Sequence, residues 1–424
     1  MKLVHAADLH IDSPLAGLER YEGAPLAEAR EATRHAFRNV VNLCLAEKAR
    51  FLILAGDVFD GDWRDANTGL FFVHQLARLR EIDCRVLLLR GNHDHELTRT
   101  LVYRVPEFVH VFGPPDDPSK RSFVFPDDRV AFHGVSYPTR KVDDSLLPHY
   151  PRPLPELLNI GVLHTNCTGS TAHDRYAPCT VQELSAFGYG YWALGHVHTH
   201  QVLSQRPWIV YPGNTQGRHA REPGPKGCVL VTVDGTDVVD VAFHETGTMR
   251  FAHVDVVLGE GDDEEELLRR ADAALDPLRQ TASERRAVIA VRLTVRGSTA
   301  LHRVIVREPT RVAQNLRSHW LGRAESIWLE KVIFDTRPLV SLDELRASPG
   351  LVGDLMRNLE HLRSGDGEPD LAALAGEVLG PLRKKLRAEA DALGLPLHDV
   401  PTLAGLVEQV ETLLAERLVE REGR

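Results

Sequence analysis

No apolar stretch in this chain of 424 residues approaches the ~20 needed to cross a bilayer as a helix, and no membrane partner is expected. The opening residues, MKLVHAADLHID, lack the apolar segment and small-residue cleavage site of a secretory signal and read as a strand that starts the fold at once. Cysteine is scarce. Cys44, Cys84, Cys167, Cys179 and Cys228 form an odd set without CxxC spacing, which argues against a disulfide framework and against a thiolate zinc site. A reducing, cytoplasmic setting follows as the expectation. A basic excess is missing too: residues 1–250 hold 26 Lys and Arg against 30 Asp and Glu, and the remainder holds 24 against 30. That balance does not announce a nucleic-acid binder. It does not exclude one, because bound cations would neutralise several acids of the first part. Internal repeats and low-complexity tracts are also absent.

What is present is globular in character, with 43 % hydrophobic and 26 % charged residues and length enough for two or three domains. Residues 1–250 alternate apolar runs with helical patterns. KLVHAA (2–7), FLILA (51–55), RVLLL (85–89), NIGVLH (159–164), YWALG (191–195) and WIVY (208–211) read as buried strands. Helical spacing runs through 26–48 and again through 71–79. Two runs at 229–233 and 238–243 flank Asp234-Gly235, a hairpin signal. The alternation predicts an α/β domain over 1–250, with sites at strand C-terminal ends. From about Phe251 a strand, an acidic helix and two further strands predict a small α+β domain over 251–340. A helical region over 341–424 follows, interrupted by SGDGEPD at 364–370.

Most of the strands are followed by residues that bind metal. Asp8-Leu9-His10 follows the first, Gly56-Asp57-Val58-Phe59-Asp60 the second, and Gly91-Asn92-His93-Asp94 the third. His164 ends the fourth, and Gly195-His196-Val197-His198 follows the fifth. Each segment alone is weak: a DxH can be a cap, a GD a tight turn, an HxH two solvated histidines. Five such segments, each at a strand end, point jointly to a site. Carboxylate oxygens, imidazoles and one amide oxygen suit Mn²⁺, Fe²⁺ or Zn²⁺. Two such ions about 3.5–4 Å apart serve phosphoester hydrolysis, and Asp57 is the candidate carboxylate to bridge them.

The motifs DLH, GDVFD, GNHD, LHTN and GHVH, in this order, resemble those of the calcineurin-like metallophosphoesterases. DLHIDSP and YPGNTQGRH resemble more narrowly the SbcD-type subunit of bacterial double-strand-break repair nucleases, in its YhaO-like branch. The resemblance implies a four-layer α/β/β/α sandwich with a small α+β capping domain and a helical C-terminal region. It implies two divalent ions, Mn²⁺ foremost, with Asp8, His10, Asp57 and His198 at one and Asp57, Asn92, His164 and His196 at the other. His93 would stand beside the scissile phosphate as acid or stabiliser, oriented by Asp94. A histidine stands in some members where this chain has Asp60, which leaves the role of Asp60 open. DNA, an SbcC-like coiled-coil ATPase and a second copy, paired through the helices at 26–48 and 67–82, are the implied partners.

The residues themselves leave the substrate open between DNA and a nucleotide or other small phosphoester. Arg218, Arg221 and Lys226 against Glu222, in TQGRHAREPGPK, place a local charge of +2 beside the expected site, where DNA phosphates would meet it; a solvated loop is the bland alternative. Leu403, Leu406, Val407, Val410, Leu413, Leu414 and Leu418 make an apolar stripe that docks on the chain itself or on a partner. His5 and His133 lie within apolar runs and read as core histidines, and His95 and His200 as solvated ones. Asp12 reads as a cap or as support for the site, with Gly213 and Asn214 as lesser candidates for an approach to it.

Overall fold

A computed structural model describes residues 1–13, 25–60, 66–95, 106–167, 176–285, 287–320, 326–339 and 342–363, with the single positions 407, 410, 411 and 414. The chain divides into two compact units. One holds Met1–Val256, Arg269–Thr294 and Ala313–Ile333, and the other holds Val257–Leu268, Val295–Val312 and Phe334–Arg424.

Two six-stranded sheets dominate the first unit. The first contains β1 (Lys2–Ala6), β2 (Phe51–Ala55), β3 (Arg85–Leu89) and β4 (Val109–Val111), all parallel, with β11 (Gly227–Asp234) antiparallel to β1 and β12 (Asp237–Glu245) antiparallel to β11, in the order β12-β11-β1-β2-β3-β4. The second contains β5 (Ser122–Phe125), β6 (Val130–Gly134), β7 (Leu158–His164), β8 (Tyr191–Gly195), β9 (Gln201–Gln205) and β10 (Trp208–Tyr211), ordered β5-β6-β7-β8-β10-β9. Its four central strands are parallel.

The two-residue period of a strand explains the layers. Phe51, Ile53 and Ala55 of β2 join Leu87 and Leu89 of β3 in a core shared with Phe132, Ile160, Val162, Tyr191 and Ala193 of the second sheet. Leu52 and Leu54 face the other way, onto Phe37, Val40, Val41 and Cys44 of α1 (Leu26–Glu47) and Phe72 and Leu76 of α2 (Ala66–Ala77). Trp192, Leu194 and Ile209 likewise leave the shared core and pack with Tyr150, Tyr189 and Leu184, the last on the short α3 (Val181–Ala186). The result is the expected α/β/β/α sandwich. Because both faces of the central strands are covered, they are apolar throughout rather than alternating.

The chain continues through β13 (Met249–Val257), α4 (Glu264–Arg285), β14 (Val288–Ser298), α5 (His302–Arg307), α6 (Pro309–Trp320) and β15 (Ile327–Arg337), whose strands form a sheet in the order β13-β14-β15. α7 (Leu342–Ala347) and α8 (Leu351–Arg363) come next. The SGDGEPD break and Leu403, Leu406, Leu413 and Leu418 of the apolar stripe lie outside the described residues. Of the remainder, Val410 is exposed and Leu414 partly so, while the neighbouring Glu411 is buried and meets Arg346 of α7 at 2.6 Å. Among the described residues no helix is long and apolar enough to cross a membrane, and all five cysteines are free and buried.

Candidate metal centre

The motif residues follow β1, β2, β3, β7 and β8 directly, where parallel strands of both sheets end. The turns there are tight. Asp8, His10, Asp57 and His196 all take positive φ (51°, 42°, 51° and 98°), a conformation that costs a non-glycine residue roughly 1 kcal/mol and collects at functional sites. Amide bonds lock the turns together: Asp8 N–H donates to Gly56 O at 3.0 Å and His10 N–H to Asp57 O at 3.1 Å. The motif glycines are required by proximity. A Cβ at Gly56 would stand 2.4 Å from His164 Nδ1, and one at Gly91 would stand 2.2 Å from Asp57 Oδ1.

Three overlapping groups of donors result, one of them His10, Asp60 and His93. Asp8, His10 and His198 bring one ligand atom each to within 4.8 Å of one another, and so do Asp8, Asp57 and His164. His164 Nε2 lies 3.0 Å from Asn92 Oδ1 and 3.3 Å from Asp57 Oδ2. The ring of His196 is centred 5.2 Å from that of His164, and its amide donates to Asp8 Oδ2 at 2.9 Å. All seven residues named from the sequence as ligands are therefore brought together, with Asp8 common to the groups of His198 and of His164 and Asp57 in the latter.

Three of the imidazoles are held by Nδ1: His164 on Ala55 O at 2.9 Å, His198 on Glu222 Oε1 at 2.6 Å and His10 on Asp60 Oδ1 at 2.6 Å. This fixes the tautomer and leaves Nε2 for a cation, the usual arrangement of ligating histidines. Among the described residues the buried His10 Nε2 has no hydrogen-bond partner, as expected of a metal-binding nitrogen. Burial raises the Asp57 carboxyl, but His164 overrides it and holds the group well below the usual carboxylate range. Burial lowers His164, and the Asp57 charge more than offsets that, pushing it to about 9. An anionic, imidazole-rich buried cluster of this kind fits divalent cations.

Residues 1–200 match the calcineurin-like phosphoesterase family, and residues 251–337 match the middle domain of the metallophosphoesterase YhaO. An uncharacterized metallophosphoesterase YhaO from Bacillus subtilis strain 168 is 35 % identical over 300 residues, covering 70 % of this chain and 72 % of that protein. The chain belongs to the calcineurin-like metallophosphoesterases. A DNA double-strand break repair protein Mre11 from Methanopyrus kandleri is 25 % identical over 298 residues, covering 64 % of this metallophosphoesterase and 62 % of that protein. A second Mre11, from Sulfurisphaera tokodaii, is 22 % identical over 208 residues, covering 48 % and 50 %.

His93 of the metallophosphoesterase sits at the rim, with its ring centre 5.2 Å from that of His10. Its amide donates to Asp57 Oδ1 at 2.9 Å, and its Nδ1 lies 3.0 Å from Asp60 Oδ1. Asp94, expected from the sequence to orient His93, is engaged elsewhere. Asp94 folds back to accept the amides of Gly91 (2.6 Å) and Val58 (2.9 Å), and burial with the nearby Asp57 charge pushes it to about 7. The carboxylate on His93 is Asp60, whose hydrogen bond raises the imidazole above its ordinary range despite partial burial.

Glu222 was missed as a site residue and counted only as an offset to basic neighbours. It is buried, holds His198, and accepts Asn214 Nδ2 at 2.9 Å and the Arg218 amide at 2.8 Å. The basic loop also differs from expectation. Lys226 is buried with its ammonium on His198 O at 2.7 Å, and Arg218 turns onto Asp60 at 3.1 Å, so Arg221 alone of the three is exposed. His5 is a core residue between Tyr191 Oη (3.0 Å) and Leu194 O (3.1 Å), and burial lowers it to about 3. His133 is held by Ser122 and Asn159. His95 and His200 reach backbone oxygens of Asn92 and Tyr211. Asp12 ties α1 to α2 through Arg34 and Thr68.

Proposed function

We propose that this metallophosphoesterase is a DNA exo/endonuclease subunit that hydrolyses phosphodiester bonds in double-strand-break repair. The observation that carries the hydrolytic part is an imidazole, His93, held by Asp60 and standing beside the donors Asp8, His10 and His198. Asp8, His10, Asp57 and His198 would hold one divalent ion, and Asp57, Asn92, His164 and His196 the other, with Mn²⁺ as the working ion. When bound, such ions supply charge neutralisation for the phosphate and a lowered pKa for an attacking water. The protein supplies the rest. Asp60 accepts from His93 Nδ1, which aims Nε2 outward to deliver a proton to the leaving oxygen. The turns of Gly56 and Gly91 keep the carboxylates of Asp8 and Asp57 fixed, so that little reorganisation accompanies the reaction.

DNA as substrate is supported by the two Mre11 relatives. An SbcC-like coiled-coil ATPase and a second copy of the chain are the partners this reading carries with it. A stand-alone phosphatase or phosphodiesterase acting on a nucleotide or other small phosphoester is the second reading. It is favoured by the inward turn of Arg218 and Lys226, which removes two of three cations from any DNA path.

Digestion of linear, hairpin and circular DNA, in parallel with bis(p-nitrophenyl) phosphate, under Mn²⁺, Mg²⁺ and chelator separates the two. Mn²⁺-dependent DNA cleavage abolished by His93→Ala, with both ions retained, is the expected result. Cleavage of the small diester alone selects the second reading. Loss of both ions from His93→Ala removes His93 from its role.

A further inference from the structure

The carboxylate that serves His93 also serves His10. Asp60 Oδ1 lies 2.6 Å from His10 Nδ1 and 3.0 Å from His93 Nδ1, so one oxygen carries two imidazoles. The Asp60 side chain is 31 % exposed, and a carboxylate open to water to that degree would not hold two rings in register by itself. Its other oxygen is fixed from a distant part of the chain: Arg218 Nη1 donates to Asp60 Oδ2 at 3.1 Å and reaches Ser13 Oγ at 3.4 Å. Arg218 is anchored in turn. Its amide donates to Glu222 Oε2 at 2.8 Å, and the second oxygen of Glu222 holds His198 Nδ1 at 2.6 Å. The loop that carries both residues is pinned by Gln216, which bonds the backbone of Met249 through Nε2 at 2.6 Å and that of Thr248 through Oε1 at 3.0 Å.

We infer that Arg218 is a positioning residue for hydrolysis: it fixes Asp60, and through Asp60 it sets the two histidine rings that flank the reacting phosphate. The inference rests on the reading of this centre as hydrolytic. A direct grip on substrate phosphate is the competing role for an arginine here. It is disfavoured because the guanidinium already faces a carboxylate and its side chain is only 17 % exposed. Held as it is, the pair works as a strut, and geometric support of this kind acts on turnover rather than on substrate affinity.

The test compares wild type, Arg218→Ala and Arg218→Lys on bis(p-nitrophenyl) phosphate with Mn²⁺. It is combined with proton–nitrogen spectra of the histidine rings in the chelator-treated protein. A fall in kcat of about tenfold at a KM within twofold is expected for Arg218→Ala. Partial recovery with Arg218→Lys or added guanidinium is also expected, as is faster solvent exchange of the His10 and His93 Nδ1 protons. A raised KM at unchanged kcat would make Arg218 a substrate contact and overturn the inference. So would ring signals that match wild type, a readout that needs no activity. If the wild type itself turns over neither this diester nor DNA, the hydrolytic reading fails, and the ring spectra still decide whether Arg218 positions the histidines.

Discussion

Replacing Glu222 with alanine probes a residue whose importance lies wholly in what it holds. Three groups lose their acceptor: His198 Nδ1 at 2.6 Å, the Arg218 amide at 2.8 Å and Asn214 Nδ2 at 2.9 Å. Asn214 keeps a second bond, to Gln216 O at 2.8 Å, so the uncompensated losses are one backbone donor and the tether of His198. A backbone donor left without a partner costs about 1–3 kcal/mol, which lowers the melting temperature of the chelator-treated protein by a few degrees. The tether matters more for metal. Removing the group that fixes a ligating histidine weakens binding roughly 10–100-fold, or about 1.4–2.8 kcal/mol. That loss should fall on the position formed by Asp8, His10 and His198 and spare the one formed by Asp57, Asn92 and His164. Titration calorimetry of Mn²⁺ into the metal-free protein, with Glu222→Gln alongside, resolves the two. Glutamine can still accept from His198 through its amide oxygen and should lose less. The reasoning fails if Glu222→Ala binds both ions with wild-type affinity, or if the two positions weaken equally.

Asp57→Ala should empty both positions, since Asp57 is the carboxylate proposed to serve both ions; elemental analysis that finds undiminished metal would remove the bridging role. Gly91→Ala should cost most of the metal affinity with little change in secondary structure by circular dichroism. The added methyl would lie 2.2 Å from Asp57 Oδ1, and wild-type binding would show that the turn yields. Asp272 on α4 is held below the usual carboxylate range: burial raises it, but Arg279, His319 and Trp320 Nε1 outweigh burial. A carboxylate with a depressed folded pKa stabilises above its unfolded value of about 3.9 and loses that contribution as pH falls below it. Asp272→Asn should therefore melt lower than wild type at pH 6–7, and the gap should close below about pH 4. A gap independent of pH would assign the effect to packing.

The strands of the sandwich were legible because cover on both faces makes them continuously apolar, and the ligand types stand immediately after them. Asp8, Asp57, Asn92, His164 and the pair at 196 and 198 could therefore be read as strand-end residues before any contact was known. What could not be read was the set of bonds between distant segments. Nothing periodic links Asp60 to Arg218 or His198 to Glu222, and their meeting depends on how the loop after β10 lies over the strand ends. Sequence adjacency misled in one place. Asp94 follows His93 directly, yet the turn sends its carboxylate back to the Gly91 amide, while Asp60, more than thirty positions earlier, reaches the ring. Charge counting misled in another, because a local sum treats Lys226 as available to solvent when its ammonium is committed to His198 O.

The pairing of β1 with β11, where Lys2 stands opposite Thr232, has a consequence for how the chain is made. During synthesis β1 can find β2 early, but its other edge stays open until more than two hundred further residues have left the ribosome. An open apolar edge is a template for pairing with other chains, and contacts so remote in order form slowly. The loop with Arg218 and Glu222 immediately precedes β11, so the strand that closes this edge of β1 also delivers the last supports of the metal centre. A nascent chain halted before this point would carry most of its ligands and still lack the means to hold them, and it would depend on chaperones to keep that edge from aggregating.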